Sequence, residues 1–183
     1  MYARHCAAYT LAELLIVVAV LSLAAVAAIP TAQPVAEPRA DAAAGEVAIA
    51  LRHARDNARH SGAQRLFDCD TAAGTVAVSA LAVTGAATTT VGLVDHPFTH
   101  LPYRVALNAA PAGNTMALVR CIFTFSDNST ASAVAFDVDG NPVRGLGTSP
   151  ARNEKLRSGR IELGAGHVVR SIDVDATGRI TVS

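Results

Sequence analysis

The first thirty residues contain a long apolar segment with one carboxylate near its start. Residues 14–29 carry no charge, and extending the segment back to Tyr9 adds Glu13 as its single charged side chain. At about 1.5 Å per residue, a helix over 9–29 is roughly 31 Å long, close to the ~30 Å hydrocarbon core of a bilayer. Arg4 lies before the segment, and basic flanks stay on the cytoplasmic side. The sequence therefore predicts a single-pass transmembrane helix over 9–29 with a cytoplasmic N-terminus.

Glu13 is the unusual residue of this segment. A carboxylate inside a membrane segment costs roughly 2–4 kcal/mol on insertion scales, so such a residue usually has a partner. If the chain is cut between Ala8 and Tyr9, the new α-amino group lies four residues from Glu13, which is about one helical turn. In a packed filament, Glu13 of one subunit would then meet the amine of another.

The residues around this point match a known pattern. Residues 8–15 read Ala-Tyr-Thr-Leu-Ala-Glu-Leu-Leu. This run resembles the prepilin cleavage and methylation motif, in which a small residue precedes the cut, an aromatic residue begins the mature chain, and glutamate is fifth. Pro30 falls at mature position 22 (30 − 8 = 22), where pilins and pseudopilins commonly carry a proline. The family usually has glycine where Ala8 stands and a branched aliphatic residue where Ala12 stands.

The resemblance implies how the N-terminus is processed and used. It implies that residues 1–8 are a leader and that a prepilin peptidase cuts between Ala8 and Tyr9. It also implies that Tyr9 is N-methylated and that Glu13 and Pro30 serve filament assembly. Before assembly, the helix over 9–29 would lie in the bacterial inner membrane, with the rest of the chain in the periplasm.

An ordinary secretory signal peptide is the alternative interpretation. It also has a basic start, an apolar stretch and an Ala-x-Ala site, and residues 25–27 (Ala-Val-Ala) would serve as that site. The product would be a secreted β-domain released by signal peptidase. This alternative leaves Glu13 and the Tyr-Thr-Leu run at 9–11 unexplained.

Beyond the apolar segment, prolines and then a helical pattern follow. Pro30, Pro34 and Pro38 predict a broken or extended linker over residues 30–40, because proline lacks the backbone donor and disfavours helix in the residue before it. Residues 41–60 then predict an amphipathic helix. Its apolar positions recur at intervals of three and four: Val47, Ala50, Leu51, Ala54 and Ala58.

From residue 64 to residue 183 the pattern becomes that of β-strands. Alternating or apolar runs are separated by clusters of Gly and Asp. The candidate strands are 65–69, 75–81, 89–94, 103–107, 116–125, 132–137, 160–163, 168–174 and 179–182. Residues 141–158, rich in Gly, Pro and Arg, are expected to be the least ordered stretch.

Three further runs resemble the GspH/FimT group of pilin-like proteins. They are the helical run 46–58, the Phe-Asp-x-x-Gly-x-Pro turn at 136–142, and the closing run from Arg160 to Ile180. The resemblance implies an α+β pilin-like fold, in which a membrane and assembly helix precedes an amphipathic helix packed on an antiparallel sheet. Residues 41–183 would form the periplasmic head of a minor pseudopilin of a type II secretion system. The alternative is a FimT-like minor pilin of a type IV pilus, and in either case the partners are other pilin-like subunits.

Two of the three cysteines are a candidate disulfide pair. Cys6 precedes the apolar segment, whereas a lipoprotein cysteine would follow it. Cys69 and Cys121 are an even pair that could form a disulfide in an extracytoplasmic head. Two buried free thiols are the alternative.

No motif for catalysis or for a cofactor is present. The chain has no GxSxG, HExxH, P-loop or GxGxxG run, so an enzyme is not expected. The run 137–141 has the carboxylates and glycine of a calcium loop, but its twelfth position is Thr148 rather than Glu, which favours a hairpin turn. His53 and His60 are too far apart along a helix for one metal ion, and they predict a solvated face.

The C-terminal part is the candidate region for DNA binding. Residues 141–183 carry seven basic and four acidic residues, a net charge of +3. FimT-like pilins include DNA-binding members with a Gly-Arg-x-Arg tail, whereas residues 178–181 here read Gly-Arg-Ile-Thr. Arg160, Arg170 and Arg179 are the candidate contacts, and DNA is not expected as a partner.

The motif at residues 8–15 generates a first prediction. We expect membrane-extracted protein to begin at N-methylated Tyr9, because prepilin peptidase would cut after Ala8. Mass spectrometry of the N-terminal peptide checks this. A mature chain that begins near Ala28 would instead identify ordinary secretion.

Overall fold

The computed structural model describes three stretches of the chain: residues 11–27, 36–109 and 116–183. The chain divides into two compact units, residues 1–34 and residues 35–183. Ala8, Tyr9 and Pro30 lie outside the described residues, so their predicted roles stay predictions.

The first helix, α1, is described over Leu11–Ala27, within the range 9–29 that the sequence predicts. Its leucines and alanines are strong helix formers, and Glu13 in the first turn places a carboxylate at the positive end of the helix dipole. In the part of the chain that the structure describes, no helix combines the length and the apolarity needed to cross a membrane. The transmembrane span and its orientation stay predictions.

The second helix, α2, spans Ala36–Ser61 and begins before the predicted start at Asp41. Pro38 is its third residue. The first four N–H groups of a helix have no acceptor within it, so proline loses no hydrogen bond there. The prediction of a broken linker is therefore wrong over residues 36–40, and residues 30–35 are outside the described part.

One face of α2 consists almost entirely of alanine. Its completely buried residues are Ala40, Ala43, Ala44, Val47, Ala48, Ala50, Leu51, Ala54 and Ala58. They include every apolar position that the sequence predicts for this helix. Because alanine ends at Cβ, strands can pack close to the helix axis along this face.

Twelve short or medium strands follow in the described residues. They are β1 (Arg65–Asp70), β2 (Thr75–Thr84), β3 (Ala87–Leu93), β4 (Arg104–Ala106), β5 (Ala117–Phe125), β6 (Thr130–Ala131), β7 (Ala133–Phe136), β8 (Pro142–Val143), β9 (Gly147–Thr148), β10 (Leu156–Ala165), β11 (Val168–Asp175) and β12 (Ile180–Val182). All nine predicted strands are present, most within one or two residues of the expected ends.

The strands form two antiparallel sheets rather than the single sheet that the sequence predicts. Sheet I has the order β8-β7-β1-β2-β3-β9, with β4 paired to β2, and sheet II has the order β12-β11-β10-β5-β6. The α+β class with antiparallel strands is confirmed. Alternation along a strand shows which side chains point inward, but it does not show which sheet the strand joins.

Both sheets pack against α2 and share one core with it. The alanine face of α2 lies in one core with bulky side chains from each sheet, among them Phe67 of β1 and Phe123 of β5, whose rings meet edge to face at 6.4 Å. A disulfide also connects Cys69 of β1 to Cys121 of β5, with 6.3 Å between the Cα atoms. The sheets are thus linked covalently as well as through the core.

Residues 141–158 form a strap across the outer face of sheet I. At one edge β8 pairs with β7, and at the other edge β9 pairs with β3. The strap covers a second apolar cluster that includes Leu66, Leu81 and Ala135. Backbone hydrogen bonds within the strap connect its two ends. Arg144 N–H donates to the Glu154 carbonyl at 2.9 Å, and Gly145 N–H donates to the Arg152 carbonyl at 2.8 Å.

The prediction that residues 141–158 are the least ordered stretch is therefore wrong. The strap contains two short strands, a 3-10 turn over Ala151–Asn153 and the start of β10. Its order depends on pairing with distant strands, which a local excess of Gly, Pro and Arg does not reveal. The short end strands also cover sheet edges that would otherwise be open.

The disulfide generates a second prediction. We expect the double change Cys69→Ala and Cys121→Ala to lower the free energy of unfolding by roughly 4 kcal/mol or less, because the bond closes a loop with a sequence separation of 52. Urea denaturation of the parent and of the double variant, followed by circular dichroism, checks this. Non-reducing peptide mapping that finds both thiols free in protein purified without reductant would contradict the bond.

Candidate functional site

Over residues 11–22, whose side chains the structure describes, the surface of α1 is apolar apart from Glu13 and Ser22. Large aliphatic residues are exposed around the helix in the isolated chain: Leu11, Leu14, Leu15, Ile16, Val17, Val18, Val20 and Leu21. A helix that is apolar all round is normally buried, either against other helices or in lipid. Glu13 lies in the first turn of this surface. The arrangement is suited to packing among apolar helices, with a carboxylate at one end.

The C-terminal half of α2 reaches two turns, one from each sheet. Arg55 Nη1 donates to the carbonyl oxygen of Gly178 at 2.9 Å, in the turn between β11 and β12. Arg59 Nε donates to the carbonyl oxygen of Asp139 at 2.8 Å, in the turn between β7 and β8. The two arginines are four residues apart and therefore share one side of the helix. We call Arg55, Arg59 and these two turns the arginine clamp.

The first turn of the arginine clamp is organised by Asp137. Its Oδ1 accepts the N–H of Asp139 at 3.0 Å and the N–H of Asn141 at 2.7 Å. Its Oδ2 accepts from the Asn141 amide at 3.2 Å. Gly140 closes the turn by donating its N–H to the Asp137 carbonyl at 2.9 Å.

The second turn repeats the first, with Asp175 in the same role. Its Oδ1 accepts the N–H of Thr177 at 2.8 Å, the Thr177 hydroxyl at 2.6 Å and the N–H of Arg179 at 3.0 Å. Gly178 N–H donates to the Asp175 carbonyl at 3.0 Å. These bonds hold the pKa of Asp175 below its ordinary value, and the bond from the Thr177 hydroxyl contributes most. Their contribution to stability is thus present above about pH 4 and lost as pH falls further.

The glycines of the two turns allow the parts to come together. Gly140 and Gly178 have φ of 79° and 78°, a region that favours glycine. A Cβ at Gly140 would lie 2.2 Å from Arg59 Nε, and one at Gly178 would lie 3.4 Å from the Gly140 carbonyl oxygen. The three runs that resemble the GspH/FimT group therefore meet at one place. The shared Asp-x-x-Gly spacing of the two turns was the signal in the sequence that would have revealed their similarity.

The alternative of a calcium loop at 137–141 does not fit this geometry. Both carboxylate oxygens of Asp137 already accept hydrogen bonds from its own turn. Within the described residues, no group of three or more His, Cys, Asp or Glu side chains is placed to hold a metal ion.

The three candidate DNA contacts are not brought together on one face. Arg160, on the outer face of sheet II, binds Asp173 through two bonds, Nε to Oδ1 at 2.7 Å and Nη2 to Oδ2 at 3.2 Å. Arg170 lies on the side of β11 that faces α2, where it pairs with Asp41. Arg179 is exposed beside β12. Two of the three cations are thus bound to carboxylates, on opposite faces of the sheet.

Sequence reasoning missed a stack of rings between α2 and the β3–β4 loop, residues 94–103. The ring of Tyr103 lies 5.0 Å from that of His53 on α2 and 4.7 Å from that of His96 in the loop. His53 Nε2 is buried and, in the described part of the chain, has no hydrogen-bond partner. The prediction of a solvated face is therefore wrong for His53. Helical spacing alone did not reveal that a distant tyrosine covers this histidine.

Comparison with known proteins identifies the fold. No protein-family model matches the sequence, and no curated protein matches it. The minor pseudopilin EpsH from the type 2 secretion system of Vibrio cholerae aligns with 79% of this chain and 96% of its own, with a TM-score of 0.53 and 9% identity. The type IV minor pilin FimU of Pseudomonas aeruginosa aligns with 80% of this chain and 90% of its own, with a TM-score of 0.48 and 12% identity. The likeness to EpsH shows a pilin-like α+β fold and confirms, for the fold, the resemblance to the GspH/FimT group.

The arginine clamp generates a third prediction. We expect Gly140→Ala to destabilise the head more than Gly166→Ala, although both glycines have positive φ. Alanine at 140 must displace Arg59, whereas a Cβ at 166 meets nothing within 4 Å. The backbone cost shared by both is about 1–2 kcal/mol. Urea denaturation curves measure the difference.

A double-mutant cycle identifies the cause. In the Arg59→Ala background, the extra cost of Gly140→Ala over Gly166→Ala should disappear, because the obstructing side chain is gone. An extra cost that persists in that background would show that the clamp does not explain the need for glycine.

Proposed function

We propose that this chain is a structural subunit of a pilin-like filament. The observation that carries the proposal is α1: an apolar helix with Glu13 in its first turn, which precedes a head with the fold of a minor pseudopilin. In water the aliphatic side chains of such a helix would stay exposed, which is unfavourable. Packing it among the same helices of other subunits buries this surface. The head then decorates or caps the filament.

The finer proposal is a minor pseudopilin of a type II secretion system. EpsH, whose fold this head shares, is by name a minor pseudopilin of such a system. Before assembly, the helix would lie in the bacterial inner membrane, with its N-terminus in the cytoplasm and its head in the periplasm. The disulfide between Cys69 and Cys121 supports a periplasmic head, because such bonds persist in oxidising compartments.

Glu13 would set the register of each incoming subunit. After a prepilin peptidase releases Tyr9, the methylated α-amino group is a cation one helical turn from Glu13. In a filament core of low dielectric, the amine of one subunit and Glu13 of its neighbour would attract each other strongly. A subunit one turn out of register would lack this pairing.

The DNA-uptake variant of the type IV pilin alternative receives no support from the head. A protein that binds DNA must offer cations to phosphates, and its affinity must fall steeply with salt. Arg160 and Arg170 are instead bound to Asp173 and Asp41. The formal net charge of zero offers no long-range attraction to a polyanion either.

The role of Glu13 generates a fourth prediction. We expect Glu13→Val to leave membrane insertion intact, because the change removes an insertion penalty. It should reduce cross-linking to other pilin-like subunits more than tenfold. Removing one partner of a buried ion pair costs about 3–5 kcal/mol, and each 1.4 kcal/mol is a factor of ten. In-cell cross-linking from a cysteine introduced in α1 measures incorporation.

Two controls complete this experiment. Glu13→Gln keeps the shape and polarity of the side chain but removes its charge, and it should behave like Glu13→Val if the ion pair sets register. Unchanged cross-linking of Glu13→Val would contradict the assembly role. Mass spectrometry of the cross-linked partner identifies the system: a secretion pseudopilin supports the finer proposal, and a type IV pilin contradicts it.

A further inference from the structure

The β3–β4 loop is tied to itself around one histidine. His96 Nδ1 accepts the N–H of Phe98 at 3.2 Å and the N–H of Thr99 at 3.4 Å. The His96 carbonyl accepts the N–H of His100 at 3.0 Å, and the His96 N–H donates to the Leu101 carbonyl at 2.8 Å. The imidazole must have a free lone pair on Nδ1 to accept these side-chain bonds. A proton on Nδ1 would remove both of them.

The same histidine takes part in the contact between the loop and α2. Its ring packs on Tyr103, and Tyr103 in turn stacks on His53 with only 19° between the ring planes. His53 Nε2 is buried and lacks a hydrogen-bond partner in the described part of the head. A charged imidazolium at this position would have a buried N–H without an acceptor, which is costly.

The charges around the stack give the imidazolium little compensation. Asp56 and Glu46 of α2 interact electrostatically with His53 and Tyr103, respectively. His96 of the loop disfavours a positive charge on His53. Asp56 is the one of these that favours the charged form of His53, but it is exposed and also pairs with Arg55 at 3.3 Å. The stack is therefore arranged for two neutral histidines.

We propose that the β3–β4 loop is a pH-sensitive latch: neutral His53 and His96 hold it against α2, and protonation of His53 at mildly acidic pH releases it. Release breaks the two bonds to His96 Nδ1 and separates the rings on either side of Tyr103. It also frees the loop tip, where the side chain of Phe98 is 86% exposed. At neutral pH the latch would hold this aromatic side chain in one place on the surface of the head.

The direction of the pH effect follows from His53. In the latched state, burial is the main cause that lowers the pKa of His53 below its ordinary value, and His96 lowers it further. The released state, in which His53 is solvated, has the higher pKa and binds protons more readily. The stability of the latch is thus complete above about pH 6.5 and decreases as pH falls below that value.

Hydrogen exchange on the full-length protein in detergent tests the proposal. After correction for intrinsic exchange rates, peptides that cover residues 95–103 should exchange severalfold faster near pH 5 than near pH 7.5, because protonation of His53 favours the released state. Peptides from β10 and β11 should not change, which separates release of the loop from unfolding of the head.

Substitutions assign the effect to the two histidines. His53→Phe keeps a ring to stack on Tyr103 without a titrating nitrogen, so its loop should stay protected at both pH values. His96→Asn places an amide oxygen where Nδ1 lies, so it keeps the acceptor but loses the ring that packs on Tyr103. Its loop should be less protected than that of the parent at both pH values. His100→Asn is the matched control, because asparagine tolerates the φ of 54° and the latch residues remain.

Three results would overturn the latch. The first is equal protection of the parent loop at both pH values. The second is an undiminished acid response in His53→Phe. The third is loss of the response in His100→Asn, since that residue lies outside the ring stack. Because the parent and His100→Asn are measured as well, a His53→Phe variant that fails to fold still leaves the proposal open to refutation.

Discussion

The alanine face of α2 allows two sheets to share one helix. Its buried residues contact strands of sheet I and strands of sheet II, and most of them end at Cβ. Alanine loses no side-chain conformational entropy on burial, so the helix presents this wide face without that cost. The volume of the core comes instead from the sheets, through residues such as Phe67 and Phe123. A larger side chain on this face would force both sheets outward at once, in an interior that tolerates little added volume.

The arginine clamp and the disulfide hold the same assembly at other points. The clamp works where the alanine face ends, because Arg55 and Arg59 are long enough to reach the turns of both sheets. The disulfide links β1 of sheet I to β5 of sheet II. Helix and sheets are therefore fixed to one another by packing, by hydrogen bonds to carbonyl groups and by a covalent bond.

Local pattern was enough to locate most elements of the head. The strands were found because Gly and Asp clusters separate apolar runs, and the buried positions of α2 were found from intervals of three and four. The start of α2 was missed because Pro38 was interpreted as a helix breaker, although a first-turn proline breaks no bond. The division into two sheets and the strap over residues 141–158 depend on pairing between distant segments, which no local pattern contains.

The candidate site was predicted only in part, for a similar reason. The motif at Glu13 and the pair Cys69 and Cys121 could be identified from residue type and position. The ion pair of Arg170 could not be identified in this way, because its partner Asp41 lies on another element. The same holds for His53, whose environment is decided by Tyr103. In each of these cases the missing information was a contact between residues far apart in the chain.

The disulfide also decides how the head would carry a mechanical load. A subunit drawn by its N-terminal helix transmits tension through α2 into β1, and at Cys69 the bond passes that tension directly to Cys121. The intervening segment, with a sequence separation of 52, is bypassed and does not lengthen. At about 3.5 Å per residue, this removes roughly 180 Å from the length to which the head could be extended. The segment that includes β2, β3, β4 and the β3–β4 loop is thereby shielded from the pull that moves the rest of the subunit.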